Sequence, residues 1–175
     1  AIPSKPMPIN ITNHMYFNLD QSISIENHAI QMDSNRVVYV ADHGANSKQV
    51  MDVKGTVFDL QEKLKLSTVL KGHHEQFNLT RQLDHTYLLE PGAKLHLYNN
   101  DDSKELIIQS TSQAIQLYLA NYFEGKYIGH NGLPMEQHAA IAIEPQDVPN
   151  AINLWNEGIY SKDTPYYSQI IYTLK

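Results

Sequence analysis

The stretch KLHLYNNDDSKELIIQS, residues 94–110, decides the fold. In KLHLY the leucines at 95 and 97 face one way while Lys94, His96 and Tyr98 face the other, the period-two alternation of a strand with one covered face. Asn99-Asn100-Asp101-Asp102 follows, and Asn and Asp accept the tight or left-handed backbone angles of a chain reversal. A second β-rich run, ELIIQST (105–111), then begins. Strand, turn and strand predict an antiparallel hairpin.

Working outward, runs rich in Ile, Val, Leu and Tyr predict further strands over 23–32, 36–40, 85–90, 115–121, 139–144 and 166–174. Glu90-Pro91-Gly92 predicts a second hairpin turn. One short helix is expected in DLQEKLKL (59–66), with Asp59 capping its first turn. No fixed-period repeat and no Pro- or Ser-rich linker interrupts the 175 residues, a length that suits one domain. The expected class is all-β.

Composition narrows the function. A formal charge of −6 without a basic stripe disfavours a nucleic acid partner, because phosphate binding needs clustered Lys and Arg. The absence of cysteine removes disulfides, thiol nucleophiles and thiolate metal sites. The longest apolar run, AAIAI (139–143), falls far below the roughly 20 residues of a membrane span, so no membrane partner is expected. With no leader-like segment at the start, the expected localisation is cytoplasmic.

The nine histidines lack metal-site spacing: HExxH is absent, and His73-His74 would point to opposite faces of an extended segment. No metal or cofactor is expected. GxSxG elbows and Gly-rich phosphate loops are likewise missing, leaving acid–base work by His and carboxylates. Three stretches qualify. ITNHMYFNL (11–19) seats His14 before two large aromatics, either as one more hydrogen-bonded histidine or as an acid–base group. In AAIAIEPQDVPNAIN (139–153) Glu144 closes a small-residue apolar strand that Pro145 is expected to stop. Poor solvation there would raise its pKa toward that of a general base, whereas a solvent-facing turn carboxylate is the alternative. RQLDHTYLLE (81–90) carries Asp84 ahead of an apolar run, where a turn-forming role is equally natural.

Taken together the segments resemble the aldose 1-epimerases, or galactose mutarotases. ITNHMYFNL is similar to that family's Asn-His-x-Tyr-Phe-Asn-Leu signature, VKGTVFDL (53–60) to its Gly-Thr-x-Phe-Asp segment, and QLDHTYLL (82–89) to its Asp-His segment. IQLYLAN (115–121) is similar to its Gln-x-Tyr strand and AIAIEPQDVPNAIN to its Glu-Pro-Gln segment, all in the family's order. The resemblance implies a large antiparallel β-sandwich, the galactose mutarotase-like supersandwich, with an open sugar cleft. It also implies interconversion of the α and β anomers of a free hexose such as galactose or glucose without a cofactor. By motif, His14 resembles the acid that protonates the ring oxygen and Glu144 the base that takes the C1 hydroxyl proton. Asp84 and Gln116 match groups that bind sugar hydroxyls.

The resemblance covers what would be the second half of a longer protein. Three prolines at 3, 6 and 8 and an abrupt approach to a strand suit a chain that starts inside a larger sheet, and nearly as well an extended Pro-rich N-terminal arm. Residues 1–175 are therefore expected to form the C-terminal part of one sandwich domain, with a missing N-terminal half or complementary chain as partner. On its own the chain is expected to bind the hexose weakly and to be poorly soluble unless it pairs with such a partner. DHGANSKQVM (42–51) departs from the family's usual Pro-Thr-Gly turn and is expected to be a loop on another path, which leaves the residues lining that side of the cleft undetermined. The alternative reading is a non-catalytic carbohydrate-binding or sugar-sensing sandwich.

Overall fold

The computed structural model describes all 175 residues. In chain order the elements are β1 (Met7–Pro8), β2 (Tyr16–Phe17), β3 (Ala29–Met32), β4 (Arg36–Val40), β5 (Asn46–Asp52), β6 (Leu64–Lys65), α1 (Leu66–Lys71) and α2 (Glu75–Thr80). They continue with β7 (Asp84–Leu88), β8 (Lys94–Tyr98), β9 (Glu105–Ser110), β10 (Ala114–Tyr118), β11 (Ile141–Gln146), α3 (Ala151–Trp155), β12 (Ile159–Tyr160) and β13 (Ile170–Leu174). Two antiparallel sheets carry the architecture, a six-stranded one ordered β2-β11-β10-β7-β4-β5 and a five-stranded one ordered β13-β9-β8-β3-β6. β1 and β12 pair separately.

One apolar cluster joins the sheets. Alternate residues of both point into it: Ile30, Leu95, Leu97 and Ile108 from the five-stranded sheet, and Tyr87, Ile115, Leu117, Ile141 and Ile143 from the six-stranded sheet. Leu95 and Leu97 are buried while His96 and Tyr98 are half-buried, as the alternation of KLHLY requires. The fold is an all-β antiparallel sandwich.

The 94–110 hairpin forms as expected, with Leu95 opposite Ile108 and Leu97 opposite Leu106. Its turn is held by the Asn99 amide, which donates to Asp20, Asp101 and Ser103, and by Asp102 at a positive φ of 60°. Other expectations need correction. Glu90-Pro91-Gly92 does not close a hairpin: it carries the chain from β7 in one sheet to β8 in the other. The 59–66 helix is absent, since Asp59 accepts from Gly55 and Gln61 in a turn and Leu64–Lys65 pairs with β3, delaying α1 to Leu66. Sheet pairing and burial of Leu60 and Leu66 outweigh the helical pattern there. Of 23–32 only Ala29–Met32 is strand, because Ser22, Ser24 and Glu26 satisfy one another in local turns.

Pro145 does not stop β11. The strand runs on to Gln146, with Pro145 opposite Ile115 of β10. β2 pairs β11 only at Ile141 and Ala142, so at Pro145 the strand has one neighbour, a position that tolerates a residue lacking an N–H. DHGANSKQVM is strand for most of its length rather than loop, since β5 begins at Asn46.

His85 faces the core from β7, edge-on to Phe58 at 4.8 Å, with its Nδ1 accepting the Asp84 N–H. Burial, reinforced by nearby His74, pushes its imidazole down to about 3. The unfolded chain takes up that proton near pH 6.5 and the native chain does not. This group leaves stability untouched above about pH 6.5 and lowers it as pH falls from there toward about 3, by up to ~1.4 kcal/mol per pH unit. In urea titrations at pH 7 and pH 5, His85→Leu should therefore lose less stability on acidification than the parent chain; equal losses would contradict the assignment.

Candidate active site

The outward face of the six-stranded sheet collects the polar residues that alternate with the core positions. Gln116 of β10 lies opposite Glu144 of β11 on one side and opposite Thr86 of β7 on the other. One row along, Tyr118 lies between Ala142 and Asp84. Pairing therefore lines up Glu144, Gln116 and Thr86 across three strands, with Asp84 beside them.

His14 arrives from the sheet's edge. β2 pairs β11 with Phe17 opposite Ile141 and Tyr16 opposite Ala142, and the same register continued two residues further sets His14 opposite Glu144. Its Nε2 stands 3.3 Å from Glu144 Oε1. Tyr16 holds the imidazole at a ring separation of 5.1 Å and is itself packed against Tyr118 and Phe123. Phe17 turns the other way, onto Tyr172 and the core.

All four residues singled out in the sequence, His14, Asp84, Gln116 and Glu144, line one cavity of about 480 Å³. That volume falls in the range of small-molecule sites. A larger cavity of about 860 Å³, bordered by Arg36, Gln109 and Trp155, contains none of them and offers no acid–base pair.

Electrostatics separate the groups. Glu144 is only 7% exposed, and burial, with the Asp84 carboxylate adding to it, holds its pKa above the ordinary carboxylate range despite the opposing pull of His14 and of the Gln146 amide. Burial also raises Asp84, opposed by the hydrogen bond from Gln116 Nε2 at 2.6 Å and by His14. His14 is the accessible partner, its side chain 53% exposed. A shielded carboxylate beside an accessible imidazole can take a proton at one atom while delivering one to its neighbour.

Further lining residues escaped the sequence. Tyr118 and Gln146 follow from period-two alternation from Gln116 and Glu144, a signal legible in the strands. Asn150 belongs to the AIAIEPQDVPNAIN segment that resembles the family, whereas Asn46 had no local signal. They come together because β5 pairs with β4 and Asn150 Nδ2 donates to the Asn46 carbonyl. No three His, Asp or Glu side chains converge as they would around a metal ion.

Fold and site together define an antiparallel β-sandwich that sets a histidine against a shielded carboxylate, His14 and Glu144, on an outward sheet face. The chain belongs to the aldose 1-epimerase family, whose model matches residues 1–172. It is 28% identical over 159 residues to the galactose mutarotase of Homo sapiens, an alignment covering 87% of this chain and 45% of that one. The aldose 1-epimerase of Escherichia coli K12 matches to the same extent. The chain thus spans about half the length of the curated relatives it matches. Among solved structures it is similar to the aldose epimerase homologue from C. elegans, at a TM-score of 0.87 and 24% identity over 99% of this chain and 53% of that one. The galactose 1-epimerase from Lactobacillus acidophilus NCFM gives 0.80 and 23%, over 99% and 51%. No helix is long and apolar enough to cross a membrane.

Proposed function

We propose that this chain carries the acid–base pair of an aldose 1-epimerase that interconverts the α and β anomers of free hexoses such as galactose or glucose. The observation that carries the reading is the 3.3 Å approach of His14 Nε2 to Glu144 Oε1 within a sugar-sized cavity. Ring opening of a hemiacetal needs a proton delivered to the ring oxygen and another removed from the C1 hydroxyl, two atoms on one carbon. Acid and base must therefore stand close together, as these two do, and the bound sugar replaces their direct contact.

In the forward step Glu144 takes the C1 hydroxyl proton, the C1–O bond becomes a carbonyl, and the ring C–O bond breaks with its electrons leaving on the ring oxygen, protonated by His14. Rotation about C1–C2 presents the other carbonyl face. The C5 hydroxyl then attacks, returning its proton to His14, while Glu144 gives its proton back to the carbonyl oxygen. Asp84 and Gln116 supply an acceptor and an amide for sugar hydroxyls, which holds the reacting carbon between the two.

The chain is proposed to be the C-terminal part of a larger sandwich. Its length relative to its relatives supports this, as do Ile171 and Leu174, which are 48% and 68% exposed on the edge strand β13. Alone it binds the hexose weakly, so turnover is read at high sugar concentration. Polarimetry of freshly dissolved α-galactose tests the proposal: the chain should accelerate mutarotation above the buffer rate. Because burial raises Glu144, the rate should climb with pH as this carboxyl loses its proton, with an inflection above the ordinary carboxylate range. Sugar binding without any acceleration would favour the non-catalytic alternative.

A further inference from the structure

The cavity floor contains a chain of hydrogen bonds with a fixed direction. Asn46 Nδ2 donates to the Pro149 carbonyl at 3.2 Å and to Thr86 Oγ1 at 2.9 Å. Thr86 Oγ1 donates to Gln116 Oε1 at 2.5 Å, and Gln116 Nε2 donates to Asp84 Oδ1 at 2.6 Å. Thr86 is fully buried and Asn46 8% exposed, so water does not compete at that end.

Direction follows from what each group is able to do. A backbone carbonyl only accepts, so Pro149 fixes the Asn46 amide with its NH₂ toward Thr86. The Thr86 hydroxyl, already accepting, must send its single proton to Gln116. That pins the Gln116 amide with its oxygen toward Thr86 and its NH₂ toward Asp84. Released from Thr86, the amide is held at one end only and swings about its single remaining hydrogen bond to Asp84. Its Oε1, deprived of a donor, is left unmatched, which the amide relieves by moving.

We propose that Thr86 and Asn46 are positioning residues: they fix the Gln116 amide so that it donates to Asp84 and leaves that carboxylate's other oxygen for a sugar hydroxyl. The functional half of this statement rests on the epimerase reading; the relay itself does not. It gives DHGANSKQVM a role, since Asn46 brings the start of β5 and the Pro149 backbone to bear on the sugar-binding carboxylate.

The test uses the 175-residue chain, with Thr86→Val to remove the donor, Thr86→Ser to keep it and Asn46→Ala to cut the relay at its far end. Carboxyl ¹³C NMR follows the titration of Asp84, and ¹⁵N spectra follow the Gln116 side-chain amide. Thr86→Val should move the Asp84 midpoint upward and shift the Gln116 amide signals, Thr86→Ser should restore both, and Asn46→Ala should move both in the direction of Thr86→Val. Where anomer exchange is measurable, Thr86→Val should lower kcat/KM about tenfold, the equivalent of one lost hydrogen bond of ~1.4 kcal/mol, mainly through KM. These NMR readouts need no turnover, so a chain inactive toward galactose that still shows them keeps the relay and loses only the epimerase reading. Folded Thr86→Val with Asp84 and Gln116 unmoved overturns the proposal; should that variant not fold, an unmoved Asp84 in Asn46→Ala overturns it equally.

Discussion

Glu144→Gln is expected to lower the rate of anomer exchange by about 10²–10⁴-fold, the usual contribution of a positioned acid–base group, while leaving the protein folded. The amide matches the carboxylate in size and can still accept the Gln146 Nε2 hydrogen bond, so β11 and its neighbours have no reason to move. What is lost is the capacity to take a proton. Stability should change in the opposite sense. Burial and Asp84 raise the native pKa of Glu144, so the native chain binds this proton more tightly than the unfolded chain does. Its contribution to stability is accordingly fullest at low pH and declines as pH rises from the ordinary carboxylate range through the raised midpoint. At neutral pH the ionised carboxylate is a burden that the neutral amide removes. Mutarotation by polarimetry and urea unfolding at pH 7 check both halves: an inactive, more stable variant is expected, and a variant with near-parental rates refutes the role of Glu144.

His14→Ala should also lower exchange by about 10²–10⁴-fold, with a different stability signature. Its side chain is half exposed and contributes no core contact, so stability should stay within about 0.5 kcal/mol of the parent. Truncation leaves a hollow beside Tyr16 that had held an imidazole ring. Added free imidazole should therefore restore part of the rate in His14→Ala and none in Glu144→Gln. Rescue of neither variant together with normal sugar binding would point away from proton delivery by this residue.

How much of this the sequence disclosed depended on the range of the interaction involved. Period-two alternation is local, so KLHLY, ELIIQST and IQLYLAN supplied β8, β9 and most of β10, and KLHLY turned Leu95 and Leu97 inward as expected. Events that depend on a partner strand were not legible. Pro145 continues β11 because of where β2 ends, and DLQEKLKL gives up a helical pattern because Leu64 and Lys65 pair with β3. Glu90-Pro91-Gly92 has the composition of a hairpin turn, but composition does not say whether the next strand joins the same sheet.

The site followed the same rule. His14 and Glu144 lie far apart in the chain, and only the β2–β11 register brings them together. Their motifs named them, while the raised pKa expected for Glu144 needed only its strand-borne burial. Asn46 was invisible: its stretch departs from the family's usual turn, and its importance arises from Thr86 and Pro149, which approach from β7 and from the segment after β11.

The proposed reaction requires that an imidazole and a carboxylate serve the same anomeric carbon. A crystal structure of Glu144→Gln soaked in galactose measures it directly, since that variant should hold the sugar without turning it over. The ring oxygen should lie within hydrogen-bond reach of His14 Nε2 and the C1 hydroxyl against the residue 144 side chain, with Asp84 and Gln116 on other hydroxyls. A sugar seated in this cavity with C1 remote from both side chains would contradict it.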